Sequence, residues 1–474
     1  MNGSENEMTI DWKQTAQDYK QAYLNDLKEL ISIKSVRDDD HQTKDYPLGE
    51  GPAKAMLKFL DFAERDGFTT KNLDNIVGYI EYGSGEKTMA LQAHADVMPA
   101  GDGWETDPFE MVEKDGLVFG RGTSDDKGPA LAAYYGLKML KDHGFMPHTK
   151  IRLIIGTDEE SDWTGMKHYF DVEPEPDFGF SPDAEFPLIN GEKGNATYVT
   201  TFGHTNGSDY TLKQFESGLR PNMVPGNADA LVETGDNEKF VDAFTRFLDE
   251  NPVAGDVKAT GDGIALHITG KAAHAMEPKN GVNAGTYMAT FLNQFPFEGA
   301  AKNFIAFLAE DLHDDSRATK ISADHVDDIM GEVTMNVGIM KFDMQNGGMV
   351  NTNFRYPKGT DDKQILGKLQ KAAGKHDAGV NEISNMGTHY VDPSDPIVST
   401  LMTVYREQTG DTTSKPEVVG GGTYARLMKR GVAFGALFPG TKDTMHQANE
   451  FQPIDDLLKA MAIYGQSIYE LTVK

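Results

Sequence analysis

From Trp12 to Ile33 the chain reads "WKQTAQDYKQAYLNDLKELISI", with apolar residues returning at steps of three and four. That spacing predicts an amphipathic helix with one buried face. A second helix is predicted over Gly51–Arg65, and then the period shortens. "IVGYIEYG" and "KTMALQAHAD" read as strands joined by the turn residues "GSGE". Further on, "KGPALAAYYGLKMLKDHG" predicts a helix that stops at Gly144 and feeds the strand "KIRLIIG". Strand, helix, strand implies an α/β domain in which a mixed, largely parallel sheet lies between helices. Ligands of such a domain gather at the carboxyl ends of the strands.

Beyond Ile189 the texture changes. Strand-like runs ("ATYVTTFG", "DGIALHITG", "EVTMNVGIMKFD", "GGMVNTNFRY") alternate with helical ones ("NEKFVDAFTRFLDE", "GVNAGTYMATFLNQF"), as in a second α/β unit. From "SDPIVSTLMTVYREQTG" onward helices and short apolar strands such as "VAFGAL" return, closing with a helix over Ile454–Val473. The expected organisation is one domain made of residues 1–190 and 393–474, interrupted by an inserted α/β domain at 191–392. No internal repeat is evident.

The length of 474 residues agrees with more than one domain, and 39% hydrophobic with 25% charged residues is ordinary for a folded globular chain. The absence of cysteine excludes disulfides, thiolate zinc sites, iron–sulfur clusters and a cysteine nucleophile, so any metal must be held by His, Asp and Glu. A net charge of −29 argues against nucleic acid or an anionic membrane as partner, since both bind through clustered Lys and Arg. The start "MNGSENEMTI" lacks the basic and apolar regions of an export leader, and no apolar run is long enough to cross a bilayer. The expectation is a cytoplasmic protein.

Four stretches could carry chemistry. In "IRLIIGTDEESDW" a buried-strand run ends at Gly156 and is followed by Asp158, Glu159, Glu160 and Asp162. Like charges this close raise one another's pKa unless a cation sits among them or water surrounds them, so the alternatives are a metal site and a solvated acidic turn. In "LQAHADVMPAGDGW" the alternation of a strand puts His94 and Asp96 on one face, which suits a metal-binding imidazole steadied by a carboxylate; the plain alternative is a surface turn. "VFGRGTSDDKGPALAAYYG" sets two aspartates before a helix, where an Asp N-cap would also serve. A dinucleotide loop is excluded there, because the spacing is not G-x-G-x-x-G and acids would face the pyrophosphate. "DFGFSPDAEFP" supplies Asp183 at another strand end. His94, Asp125, Glu160 and Asp183 each lie just beyond a predicted strand of one sheet and could converge. Two divalent cations would relieve the crowding, and nitrogen and oxygen ligands fit zinc, with cobalt or manganese as replacements.

The ordered series "HADVMPAGDGW", "GRGTSDDKGP", "GTDEESDW", "SPDAEFP", "AAHAMEP", "VNTNFRYPKGT", "GGGTYAR" and "MHQANE" resembles the dinuclear zinc peptidases. That family includes carboxypeptidase G, carnosinase and succinyl-diaminopimelate desuccinylase, and the resemblance is greatest to its bacterial PepV-type dipeptidases. It implies a zinc-peptidase catalytic domain with an inserted lid, and Asp125 bridging two Zn2+ ions. His94 and Asp183 would complete one ion, Glu160 and His446 the other. Asp96 would orient His94, and Glu159 would be the general base. In the lid, His274 and Asn222 would reach the substrate carbonyl, Arg355 its carboxylate, and Gly421 and Gly422 would offer backbone groups. A cis peptide between Asp125 and Asp126 is also implied. Without the resemblance, His274 reads first as a core histidine and Arg355 as half of a structural ion pair, while Asp126, Asp158 and Asp162 are left as caps or supporting charges.

The implied reaction is hydrolysis of a small dipeptide by a monomer. The alternatives are an N-acyl amino acid deacylase or desuccinylase with the same catalytic residues, and a non-catalytic peptide- or metal-binding protein. One local expectation accompanies it: adjacent residues of a strand diverge, so Gly156 should turn the backbone and let Glu159 and Glu160 both aim into one cleft.

Overall fold

The computed structural model describes residues 10–204 and 207–474. The first nine residues, read above as unlike an export leader, lie outside that range. Backbone contacts divide the chain into two units: Met1–Gly191 with Tyr390–Glu417 and Gly422–Lys474, and Glu192–His389 with Val418–Gly421. Each has its own apolar core.

The first unit is built on a mixed sheet with parallel strands at its centre. Thr88–His94 pairs in parallel with Lys150–Gly156 on one side and with Phe178–Ser181 on the other, and Phe178–Ser181 pairs in parallel with Gly431–Ala433. Antiparallel strands flank these: Val77–Tyr82 beyond Lys150–Gly156, then Thr69–Leu73 at the edge. Past the first residue of Thr88–His94 and of Lys150–Gly156, every side chain is buried. That explains their unbroken apolar runs, since central parallel strands are covered on both faces. Helices Trp12–Ile31, Lys127–Asp142 and Ile454–Thr472 pack together. The latter two cross at glycines so closely that a Cβ on Gly136 would lie 2.9 Å from the Gly465 nitrogen. A separate small sheet joins Val112–Lys114, Leu117–Phe119 and Phe451–Pro453.

The second unit holds an eight-stranded sheet in the order Ala254–Thr260, Gly263–Thr269, Asn227–Thr234, Tyr210–Ser217, Thr334–Asp343, Gly347–Tyr356, Gly194–Phe202, Gly379–Met386. Its pairings are antiparallel, and the alternating burial of Asn227–Thr234 marks a sheet with one covered face. Helices Asn237–Glu250, Ala284–Leu292, Gly299–Ala306 and Asp362–Gly374 pack against it.

Candidate metal centre

In the first unit, adjacent parallel strands deliver the chemistry at their carboxyl ends. His94 is the last residue of its strand, Glu159 and Glu160 follow Gly156, and Asp183 follows Ser181. Asp125 arrives differently. The strand before it, Leu117–Phe119, belongs to the small sheet rather than the large one, which corrects the expectation that all four residues follow strands of one sheet. Asp125 stands just ahead of helix Lys127–Asp142, and the Asp125–Asp126 peptide is cis. His446 comes from the loop before Phe451–Pro453, with a left-handed φ of 62°.

Asp125 is flanked by two imidazoles. Its Oδ1 lies 3.0 Å from His94 Nε2 and its Oδ2 lies 2.7 Å from His446 Nε2. His94 Nε2 is also 3.5 Å from Asp183 Oδ2, and His446 Nε2 is 2.9 Å from Glu160 Oε1. One ring nitrogen carries at most one proton, so it cannot satisfy two carboxylates at once. Glu160 Oε1 accordingly remains a buried acceptor with no aligned donor. Two groups of ligand atoms, each within 4.8 Å of one another, result: His94, Glu159 and Asp183, and Asp125, Glu160 and His446. Donors restricted to imidazole and carboxylate, an orphaned carboxylate oxygen, and an aspartate with each oxygen facing a different ring nitrogen fit a pair of divalent cations.

The titration behaviour has the same origin. Burial, then the charge of Asp183, raises the pKa of Glu159, and burial, then Asp125, raises Asp183 and brings Glu160 up to about 7. Burial opposes ionisation of Asp125 too, but hydrogen bonds from His446 and His94 prevail and hold it low. Hydrogen bonds to Asp125 and Glu160 push His446 up to about 11. For His94, burial opposes the charged ring, but Asp96, Asp125 and Asp183 outweigh it and raise its pKa.

Asp96 reaches further than the sequence suggests. Its Oδ1 lies 3.3 Å from His94 Nδ1, and its two oxygens accept the backbone N–H groups of Glu159 at 3.1 Å and Glu160 at 3.2 Å. Asp126 stands at the N-cap position without making a side-chain capping bond, and its Oδ2 accepts the backbone N–H of His94 at 3.1 Å. Asp158 does cap, accepting from Thr164 and Gly165, and Asp162 pairs with Arg37 at 3.0 Å. Gly156 does not turn the chain; it completes the strand, and a Cβ there would lie 2.5 Å from the Tyr424 hydroxyl. Room for that ring, which also meets Trp163 edge-on, is what the glycine provides. Sequence reasoning missed Tyr424, Glu450 and the buried Lys127, whose Nζ donates to the Leu30 and Ile33 carbonyls at 2.9 and 2.8 Å. Tyr424 and Glu450 stand inside quoted motifs, "GGGTYAR" and "MHQANE", which is the only signal they offer.

The second unit gathers His274, Asn222 and Arg355. Met223 pairs with His274 in a short two-stranded ladder, and the Asn222 carbonyl accepts the Ala275 N–H at 3.0 Å. His274 Nδ1 accepts the Met276 N–H at 3.1 Å, which leaves Nε2 as the donating nitrogen of a neutral ring. Burial, then the charge of Arg355, lowers the His274 pKa and favours that neutral form. Arg355 Nη1 donates to the Gly420 carbonyl at 2.9 Å. Gly420 also comes close to Met276, since a Cβ there would lie 2.5 Å from Met276 Cγ. Gly421 falls in the second unit and Gly422 in the first.

Comparison with known proteins gives a consistent picture. The sequence model of peptidase family M20/M25/M40 matches residues 90–470. The Beta-Ala-Xaa dipeptidase of Lactobacillus delbrueckii subsp. lactis is 43% identical over 469 residues, covering 98% of this chain and 99% of its own. Human carnosine dipeptidase 1 matches in structure with a TM-score of 0.57 at 15% identity, over 97% of this chain and 98% of its own. A di-peptidase of Saccharomyces cerevisiae matches at 0.56 and 16%, with the same coverage. At those identities the structural matches speak for the fold.

Proposed function

This chain belongs to peptidase family M20/M25/M40, and from that premise we propose that it is a dipeptidase of the PepV type, hydrolysing the peptide bond of small dipeptides with broad side-chain tolerance. The observation that carries the reading is Asp125, whose two oxygens face His94 and His446 separately. The substrate class rests on the full-length relative named a Beta-Ala-Xaa dipeptidase.

On this reading His94, Asp125, Asp183, Glu160 and His446 hold two divalent ions, zinc by preference with cobalt or manganese as replacements. Such ions supply Lewis acidity, lowering the pKa of water and polarising the peptide carbonyl. Glu159 is the general base, taking a proton from the attacking water and passing it to the departing amine. Its raised pKa, set first by burial, makes its carboxyl able to hold that proton between the two transfers. Asp96 fixes the aim of both parts, since one carboxylate faces His94 and bonds the backbone at Glu159 and Glu160. In the second unit, which we read as a lid, the neutral His274 donates from Nε2 to the developing oxyanion, with Asn222 beside it. Arg355 receives the substrate carboxylate, and Gly421 and Gly422 offer backbone groups to the same end. The reading includes a monomer, carried over from the resemblance, and a cytoplasmic location, expected from the sequence.

The test is turnover by the purified, zinc-loaded protein. Hydrolysis of Ala-Ala and β-Ala-His is expected. Cleavage of N-acetyl or N-succinyl amino acids with no action on plain dipeptides would overturn the dipeptidase reading in favour of a deacylase.

A further inference from the structure

Outside the ligand set, the first unit contains a buried ion pair that none of the chemistry above uses. Arg121 Nη1 lies 2.6 Å from Glu450 Oε2, and both side chains are 1% exposed. The other oxygen of Glu450 accepts the backbone N–H groups of Gly122 at 3.0 Å, Ser124 at 2.9 Å and Asp125 at 3.2 Å. The Glu450 carbonyl accepts the Gly120 N–H at 3.0 Å, and the next residue, Phe451, pairs with Phe119 in the small sheet. Glu450 is four positions after His446 in the same loop. One carboxylate therefore joins the loop that carries Asp125 to the loop that carries His446. Arg121 extends the joint to a third loop: Nη2 donates to the Pro99 and Ala100 carbonyls at 3.2 and 3.3 Å, and the guanidinium lies 5.3 Å from the Trp104 ring centre. Asn449 ties the His446 loop to the same segment, accepting from the Glu105 N–H at 2.8 Å and donating to the Gly103 carbonyl at 3.3 Å.

Apart from the His446 ring, the other bonds of this loop are local and do not reach Asp125: Thr444 exchanges hydrogen bonds with Phe451, and Asp443 accepts the Met445 N–H. Asp125 does not hang from the large sheet, and His446 and Asn449 both hold left-handed backbone, φ 62° and 58°, a region that His and Asn enter more readily than most side chains. A buried ion pair is weak evidence of stabilisation, because desolvation offsets the attraction, so its value must be sought in geometry.

We propose that Arg121 and Glu450 are positioning residues that set the Asp125–His446 spacing, and through it the affinity of the Asp125, Glu160 and His446 group for its divalent ion. This rests on the dinuclear reading given above. Asp125 is shared by both groups and Arg121 reaches the loop that follows His94, but Glu450 stands in the His446 loop and bonds neither Asp183 nor the Glu159–Glu160 turn, so the larger effect falls on the ion that His446 would hold.

The experiment titrates metal-free protein with Zn2+ by calorimetry and with Co2+ by absorption, for the wild type and Glu450→Gln. Expected are two binding steps in the wild type. In the variant one step weakens by roughly 10–100-fold, the scale found when partners of metal ligands are removed. The other step, which shares Asp125, weakens clearly less, the Co2+ spectrum alters, and excess Zn2+ restores turnover. Two steps unchanged in the variant, or both weakened alike, would overturn the proposal, the latter by showing that the pair serves the unit as a whole. If Glu450→Gln does not fold, Arg121→Met with Glu450→Gln leaves no lone buried charge and is read in the same way. Failure of both variants to fold would assign the pair to the fold and also overturn the proposal. A wild type that binds no pair of ions defeats the dinuclear reading itself, a result visible before any variant is made.

Discussion

His446 in the first unit and His274 in the second carry the same side chain into opposite surroundings. Asp125 and Glu160 push His446 up to about 11, whereas burial and Arg355 lower His274. Around the first the chain crowds carboxylates that keep the ring protonated when no cation is there. Around the second it places a guanidinium and a backbone N–H, which leave a neutral ring with one donating nitrogen. Neighbours, not residue type, decide whether a histidine is a ligand awaiting a metal or a hydrogen-bond donor. The contrast extends to the backbone: the ligand cluster is held by Asp96 and Glu450 through backbone N–H groups, while His274 lies in a two-residue ladder and Asn222, just before it, accepts the Ala275 N–H on its carbonyl.

The change expected to strike hardest is Glu159→Gln, which should cut kcat by about 10²–10⁴-fold, the usual contribution of a general acid–base group. It also probes the contrast, because Glu159 lies within reach of the His94 and Asp183 atoms. Metal analysis of the variant decides: two ions retained with activity gone assigns the proton-transfer role, and an ion lost assigns Glu159 to the ligands. Next in size, His274→Ala should lower kcat by roughly 10²–10³-fold, as for loss of an oxyanion donor, with metal content untouched. A drop in bound metal would place His274 with the ligands and dissolve the distinction.

The central strands, the long helices and the strand-end acids were legible because their periods are long and their ends carry polar residues. Thr69–Leu73 was not, since an edge strand reading "TTKNL" shows no apolar alternation, and neither was the short helix Gly299–Ala306, which is less than three turns long. His94, Asp96, Glu159, Glu160 and Asp183 could be picked out individually, because a strand followed by acids is a local pattern. The role of Glu450 could not, since it depends on three N–H groups more than three hundred positions away in the chain. Gly156 was misread for the same reason: its cause is the ring of Tyr424, a distant residue.

Asp96→Asn ranks below the catalytic variants. It keeps one acceptor oxygen but removes the charge facing His94, so metal affinity should fall by about 10–100-fold with modest loss of turnover at saturating metal. Calorimetric titration measures it. Unchanged affinity would mean that the Glu159–Glu160 turn and the His94 ring hold their aim without Asp96.

The smallest effect expected is one of pH on the metal-free protein, and it separates the units by sign. Stability falls with rising pH wherever the folded chain binds more protons than the unfolded one. Glu159 and Asp183 are raised and Glu160 reaches about 7, so above the ordinary carboxyl range near ~4 the folded chain keeps protons the unfolded chain has lost. The contribution of His446 is full below its ordinary value of ~6.5 and is lost as pH climbs towards about 11. Asp125, held low, acts in the other direction, but only in acid. In the second unit Glu277, Asp327 and Asp361 are lowered, so what they contribute is present above ~4 and lost only in acid. The lowered His274 and His313 favour the folded state as pH rises towards ~6.5 and are neutral beyond it. All three tryptophans, Trp12, Trp104 and Trp163, lie in the first unit, so tryptophan fluorescence follows that unit alone. In chelator, the fluorescence-detected Tm should fall by several degrees between about pH 5 and 8, at about 2–4 °C per kcal/mol for a unit of this size. Saturating Zn2+ should reduce the slope, because the ions take the place of the protons on the ligand groups, while Glu450, raised to about 7 by burial, keeps its part of it. A chelated protein whose fluorescence-detected Tm rises over that interval would show that the ligand carboxyls ionise freely, and the contrast between the two histidines would lose its physical basis.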